Sequence, residues 1–459
     1  MKKGFIALLL AAGEGTRFKS EKPKVLHPLL GKPMLQLVLE CVKRLRPERV
    51  YVVVGHKKES VIKEIRSQRV NFVIQRRQLG TAHAVMAARK ALRTEKEKDL
   101  LVINADLPLL RPETLRPFLK VHQREGNSLT FLTAELENPT GFGRVLRSGN
   151  RIEKIIEEKD ASPSQRKIKE INAGAYLFKV KDLFEVVSKV SNKNRKGEYY
   201  LTDTIEIMVH AGKKVEAHRT SRPEEIIGIN DRFELAKAVD ILRMRKIRSL
   251  AEQGVTVYDP PTTWIDLDVK VGQDTLIHSS VILEGKTRIG SQCQIFPFVH
   301  IVDSVIGDGV RIFSSTMIEE SRIRNSARVG PFTHLRPKTE IQEGARVGNF
   351  VEMKNTVFGK QAKAGHLTYL GDCRVEGKVN IGAGTITCNY DGKRKHRTLI
   401  GEGAFIGSGV ELVAPVKVGK NAYVGAGSTI TKDVAEDSLA VARGKQVEKR
   451  GWARKKRKK

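Results

Sequence analysis

Ile400-Gly-Glu-Gly-Ala-Phe-Ile406-Gly-Ser-Gly-Val-Glu-Leu412-Val-Ala-Pro-Val-Lys-Val418-Gly-Lys-Asn-Ala-Tyr-Val424-Gly-Ala-Gly-Ser-Thr-Ile430 sets an aliphatic residue at every sixth position for five steps. An α-helix repeats its buried face every 3.6 residues and a half-buried strand every second residue, so neither yields a beat of six. Stacked coils of short strands do, because each coil returns its aliphatic side chains to the same interior columns. A second run, Val271, Ile277, Leu283, Ile289, Ile295 and Ile301, keeps the beat in its own register. Between the runs Val329-Gly330, Val347-Gly348 and Ile381-Gly382 retain an aliphatic-glycine pair, while the register slips at 321–325 and around 392–398. Loops are expected at both slips. The C-terminal half is therefore read as a parallel β-helix of hexapeptide repeats.

Upstream of the repeats, Leu235, Val239 and Leu242 are spaced four and three apart in a stretch without proline, which predicts a connecting helix from Asp231. The first half alternates apolar runs with amphipathic ones: Phe5–Ala12, Met34–Leu45, Val50–Val54, Val61–Ile65, Phe72–Ile74, Thr81–Leu92 and Leu100–Asn104. Continuous Val/Ile/Leu runs separated by helices predict a doubly wound α/β domain, its parallel sheet covered on both faces and its ligands beyond the carboxyl ends of the strands. Gly13 and Asp106 fall just past two such ends.

Over the 459 residues, 83 Lys+Arg against 52 Asp+Glu give a net charge of +31, which points to anionic partners without naming them. With 40% hydrophobic residues the chain can build real cores, against wholesale disorder. No run approaches the ~18 apolar residues that span a bilayer, and the Phe5–Ala12 run flows into a glycine loop rather than a cleavage site, so a cytoplasmic protein is expected. Cys41, Cys293, Cys373 and Cys388 have neither metal-site spacing nor the pattern of a disulfide scaffold.

The loop Ala11-Ala12-Gly13-Glu14-Gly15-Thr16-Arg17 offers backbone donors and a cation to phosphate, yet lacks the Lys-Ser/Thr of a P-loop and the third glycine of a dinucleotide fingerprint. Pro23 then turns the chain at Glu21-Lys22-Pro23-Lys24-Val25 and brings a second cation, a pair that suits a triphosphate. For Asp106 alone, capping the following helix is a plausible structural role. With Gln78-Leu79-Gly80-Thr81-Ala82-His83, Thr140-Gly141-Phe142-Gly143-Arg144, Glu157-Glu158-Lys159-Asp160, Glu170-Ile171-Asn172-Ala173-Gly174 and Gly197-Glu198-Tyr199-Tyr200-Leu201-Thr202-Asp203, the chain resembles the nucleotidyltransferases that make nucleoside-diphosphate sugars. It is most similar to the bifunctional bacterial enzymes with N-acetylglucosamine-1-phosphate uridyltransferase and glucosamine-1-phosphate N-acetyltransferase activities. Their second-half pattern is matched at Arg336-Pro337, Gly348–Lys354, Lys363–Asp372 and Asn380–Gly392.

The resemblance implies a uridyltransferase (pyrophosphorylase) domain at 1–230, a helical arm at 231–250, a left-handed hexapeptide β-helix acetyltransferase domain at 251–443 and a basic tail at 444–459. It implies nucleotide contacts at Leu10, Ala11, Ala12, Gly13, Lys24, Gln75, Gly80, Thr81, Asn104, Ala105 and Asp106, and sugar contacts at Gly143, Glu157, Asn172 and Asn230. Arg17 and Lys24 would neutralise the phosphates, and Asp106 and Asn230 would hold Mg²⁺, which takes few protein oxygens and shares the rest with phosphate and water. The family carries Tyr-Gly where this chain has Asn104-Ala105: Asn104 removes an aromatic wall and Ala105 adds a methyl where backbone approaches the ligand, so the resemblance leaves nucleotide and sugar selectivity open at this site.

For the second reaction the resemblance makes His366 the general base toward the amino group of glucosamine-1-phosphate. A neutral imidazole can take that proton near pH 7, whereas lysines cannot without large shifts. Arg336, Lys354, Tyr369, Asn380, Asn389, Tyr390 and Lys395 would hold the acceptor, and Ala383, Asn389, Tyr390, Ser408, Ala426 and Arg443 the acetyl-CoA. The implied product is UDP-N-acetylglucosamine, a cell-envelope precursor, made from UTP by a homotrimer. No transmembrane segment and no specific nucleic-acid module are found, and the terminal Arg454–Lys459 run is read as a solvated tail. Two alternatives stay open: a single-activity pyrophosphorylase with a structural β-helix, and a noncatalytic scaffold of the same folds.

Overall fold

The computed structural model describes residues 4–457. The chain divides into two compact units, Met1–Leu242 and Arg243–Lys459, and the division falls inside the helix Arg232–Ala251. No helix among the described residues is long and apolar enough to cross a membrane.

The first unit is a sheet with helices on both faces. At its centre Phe5–Leu10 pairs in parallel with Asp99–Asn104 on one side and Arg49–Val54 on the other, and Asn71–Ile74 extends the latter edge. Side chains alternate across a strand, so Phe5, Ala7 and Leu9 enter one core with Leu35, Val38 and Leu39 of the helix Met34–Lys43, while Ile6 and Leu8 enter the other with Ala82 and Val85 of the helix Thr81–Ala87. The sheet is mixed rather than wholly parallel. Glu170–Lys179 runs antiparallel to both Asp99–Asn104 and Leu129–Glu135, because it is reached through the hairpin Arg144–Ser148/Arg151–Ile156 and not through a crossover helix. Its register shifts between Asn172 and Tyr176 around Gly174, whose φ of +72° favours glycine and where a Cβ would lie 2.7 Å from Asn104 Nδ2.

The second unit stacks short strands into three parallel ladders around one apolar column. Both six-residue runs are the interior of this stack: Ile277, Leu283, Ile295, Ile301, Ile406 and Leu412 are fully buried. The slip at 321–325 is not a loop. Arg322–Ile323 is a strand in register with Val305–Ile306 and Glu340–Ile341, and the coil reaches it in five residues from Ile318 instead of six. The second slip is a true excursion, 389–397. Cys388 still pairs with Val413 before it and Thr398 with Cys373 after it, while Asp391 bonds His396 at 2.7 Å and the Arg394 N–H at 2.7 Å. The Arg394 N–H, the His396 imidazole and the Lys393 N–H, which also donates at 2.7 Å, hold the Asp391 carboxyl down at about 2. At one corner of the coils Phe298, Phe332, Phe350 and Leu367 all take positive φ and stand exposed, the rings of Phe332 and Phe350 stacked at 5.3 Å. The four cysteines are free thiols. Trp452–Lys456 forms a short exposed helix; Lys458 and Lys459 of the tail lie outside the described residues.

Candidate active sites

The carboxyl ends of Phe5–Leu10 and Asp99–Asn104 open onto two adjoining cavities of about 430 and 350 Å³. Leu10, Ala12, Gly13, Gln75, Gly80 and Thr81 line the first, and Arg17, Gly143, Glu157, Asn172 and Asn230 line the second. Thr81, Asn104, Asp106 and Glu198 border both, which makes them the seam between two binding volumes.

Two of the expected contact residues turn their side chains away from the cleft and can offer it only backbone. Ala11 and Ala105 are 3% and 1% exposed and pack in the apolar core beneath the cleft. The Ala105 methyl therefore points away from any ligand and does not crowd it. Strand alternation is the cause: Asn104 faces the cleft, so its successor faces the core.

Lys24, carried by the turn after Pro23, extends its ammonium to the seam. Nζ lies 2.7 Å from Asp106 Oδ2 and 3.3 Å from Asn230 Oδ1, with only 14% of the lysine side chain exposed. A carboxylate and a carboxamide oxygen thus already converge on one positive charge, the donor set a hard divalent cation takes. These residues fit Mg²⁺. In the second cavity the Glu157 carboxylate accepts from Thr202 Oγ1 at 3.0 Å, and Asn172 Nδ2 donates to Tyr176 Oη at 2.7 Å. Burial raises the Glu157 carboxyl above its ordinary range, and burial followed by the Glu157 charge pushes Asp203 up to about 6. Glu198 and Thr202 were not among the residues expected here. Both belong to the 197–203 motif, whose place in the cleft is settled by pairing over long sequence distances.

In the second unit His366, Asn380, Ala383 and Ser408 line one cavity together with Lys363, which heads a matched stretch, and with Arg328 and Arg346, which lie outside the motifs. Arg311, Arg328, Arg346 and Lys363 occupy the same position on four successive rungs. The strand Lys363–Gly371 places His366 at the exposed corner beside Leu367 and Tyr369 further along the same strand. Arg336, Lys354 and Lys395 form a separate cationic group outside that cavity. Contact with Lys395 and the nearby Arg336 charge hold the Lys354 ammonium below its ordinary value, and Arg336 Nη1 donates to Glu352 at 2.9 Å. Asn389 Nδ2 bonds Asp372 at 2.6 Å, Tyr390 Oη donates to the Gly392 carbonyl at 2.6 Å, and Arg443 Nη1 donates to the Ala426 carbonyl at 2.8 Å. Within one copy of the chain the expected acetyl-transfer residues are thus divided between two places.

Residues 6–267 match the nucleotidyl transferase family model and residues 397–432 the bacterial transferase hexapeptide (six repeats) model. A bifunctional GlmU protein of Geobacillus sp. is 48% identical over 97% of this chain and 97% of its own length. Those of Thermodesulfovibrio yellowstonii and Thermoanaerobacter pseudethanolicus are 45% and 46% identical over 98% and 100% of this chain, and 99% of their own lengths. With both family models matched and these identities running over nearly the whole of both chains, the chain belongs to the bifunctional GlmU family of uridyltransferase–acetyltransferases.

Proposed function

We propose that the cleft of the first unit binds UTP in the cavity of Gly13, Gln75 and Gly80 and N-acetylglucosamine-1-phosphate in the cavity of Gly143, Glu157 and Asn172. The observation that carries this is the seam: Asp106 borders both cavities and pairs with Lys24, whose ammonium also meets Asn230 of the second cavity, so charged groups stand beside the junction where the two phosphates must approach. A phosphate oxygen of the sugar attacks the α-phosphorus of UTP, the α–β bridge breaks, and pyrophosphate leaves with the bond electrons. Arg17 and Lys24 hold the charge that develops on it, and the paired cavities supply the alignment. Asp106 and Asn230 would hold Mg²⁺, which when bound neutralises phosphate charge.

In the second unit His366 takes the proton from the amino group of glucosamine-1-phosphate as the nitrogen bonds to the acetyl carbonyl carbon; the C–S bond breaks, and coenzyme A leaves with the bond electrons and accepts a proton to depart as the thiol. Arg336, Lys354 and Lys395 hold the sugar phosphate, with Tyr369, Asn380, Asn389 and Tyr390 around the sugar. Ala383, Ser408, Ala426 and Arg443, on successive coils running away from His366, follow the length of acetyl-CoA. A homotrimer is the assembly this reading favours. The exposed corner of Phe298, Phe332, Phe350 and Leu367 adjoins His366, and a second copy packed there would cover it and reunite the divided site. UTP and acetyl-CoA are cytoplasmic metabolites, which suits a cytoplasmic enzyme, and 1–230, 231–250, 251–443 and 444–459 are its domain, arm, domain and tail.

Pyrophosphate release from UTP plus N-acetylglucosamine-1-phosphate, and thiol release from acetyl-CoA plus glucosamine-1-phosphate, test the two halves separately. Asp106→Asn should abolish the first and spare the second; equal loss of both in folded protein would refute the division of labour.

A further inference from the structure

Gln75 follows the strand Asn71–Ile74 and is 3% exposed, its backbone N–H donating to the Val54 carbonyl at 2.8 Å. Gln75 is among the residues that line the proposed nucleotide cavity. A carboxamide has one acceptor oxygen and two N–H groups. One N–H of Gln75 donates to the Gly80 carbonyl at 3.2 Å, and Nε2 lies 3.0 Å from Nδ1 of His83. The Gly80 oxygen can only accept. Turned over, the amide would set Oε1 against that oxygen, so the attractive arrangement has Nε2 serving Gly80 and His83 together, with His83 Nδ1 unprotonated and accepting. Both N–H groups are then used, and Oε1 is what Gln75 has left to offer a base. His83 itself lies in the first turn of the helix Thr81–Ala87, its ring 6.4 Å from that of Tyr199.

We propose that His83 is a specificity-determining positioning residue of the nucleotidyl reaction: by accepting from Gln75 Nε2 it fixes Oε1 as an acceptor toward the nucleobase. Such an acceptor suits the imide N–H of uracil or thymine and opposes cytosine, whose N3 is itself an acceptor. The inference rests on the reading of this cavity as the UTP site. Without His83 only the Gly80 contact resists the amide flip, and a flipped Gln75 offers cytosine the donor it needs.

The test is kcat/KM for UTP, dTTP and CTP, each with N-acetylglucosamine-1-phosphate, in the wild type, His83→Leu and His83→Asn. In His83→Leu the UTP-to-CTP preference should fall about tenfold, the scale of one hydrogen bond, mainly through a higher KM for UTP. The UTP-to-dTTP preference should hold, because both bases carry the imide. His83→Asn, whose Oδ1 can stand in for Nδ1, should restore the preference, a rescue that a packing role would not show. Near-UV circular dichroism and thermal unfolding of the same preparations confirm a folded first unit, which acetyl transfer in the other unit cannot report. An unchanged UTP-to-CTP ratio in His83→Leu, or equal losses with UTP and CTP, overturns the inference while leaving the UTP site standing. A wild type that uses none of the three triphosphates overturns that site and the inference with it.

Discussion

Lys24→Met keeps the length of the side chain and removes the charge that sits 2.7 Å from Asp106 and 3.3 Å from Asn230. At an effective dielectric of about 20, an ion pair at that separation is worth about 6 kcal/mol of gross Coulomb energy. The lysine and aspartate side chains are 14% and 25% exposed, so each has given up much of its hydration to make the contact. A net value of about 1.5–3 kcal/mol, that of a hydrogen bond to a charged group, is the reasonable remainder. In the protein without nucleotide, a divalent cation entering between Asp106 and Asn230 must first displace this ammonium. Lys24→Met should therefore bind Mn²⁺ or Mg²⁺ about 10- to 100-fold more tightly than the wild type, while transferring UMP far more slowly for want of the cation on the phosphates. Calorimetric titration of the nucleotide-free protein, with Mn²⁺ electron paramagnetic resonance as a second readout, measures the affinity without relying on turnover. Thermal unfolding should show a larger metal-induced rise in Tm for the variant. Equal or weaker metal binding by Lys24→Met would refute the idea that lysine and metal share one seat.

His366→Ala should slow acetyl transfer by about 10²–10⁴-fold, the usual contribution of a placed general base, and leave UMP transfer intact; near-normal acetylation would assign the proton to another group. Asp203, pushed up to about 6 by burial and by the Glu157, Glu206 and Asp160 charges, binds its proton more tightly folded than unfolded, where a carboxyl titrates near about 3.9. Its contribution to stability thus falls as pH rises from about 4 to about 6 and is flat above. Urea unfolding of Asp203→Asn should lose that slope and gain stability at pH 7. Glu225 is fully buried and accepts from the Arg111 N–H at 3.0 Å and Thr114 Oγ1 at 2.6 Å, so Glu225→Ala should cost about 3–5 kcal/mol in urea unfolding.

The β-helix was readable because its periodicity is local: each coil contacts its neighbours, and Ile400 to Ile430 spells out the column residue by residue. The five-residue step from Ile318 to Ile323 was not, since tightening one corner by a residue looks in sequence like the start of a loop. Alternation in the first half announced strands but carried no direction, and the reversal of Glu170–Lys179 follows from a hairpin that composition does not mark. Among site residues, those held on strand ends and tight loops, such as Gly13, Gln75 and Asp106, came from their motifs. Glu198 and Thr202 did not, because their roles depend on Thr202 meeting Glu157 across 45 residues of chain. The side on which Ala105 falls follows from the strand boundary at Asn104, which turns its methyl toward the core whatever its bulk.

The 389–397 excursion shows how a rod of stacked coils acquires chemistry. Thr387 lies in the interior column before the excursion and Ile400 after it, each buried, so nine residues leave and rejoin one coil without shifting any rung above or below. Asn389, Tyr390 and Lys395 all ride on that detour. A coil is in this sense an addressable shelf: the rod fixes height and orientation, and the detour supplies the functional groups. Exchanging the detour for a plain turn would leave the scaffold's stacking order intact and strip three of the groups assigned to the acetyl acceptor, so in this half of the molecule the load-carrying frame and the chemical equipment are separable parts of one chain.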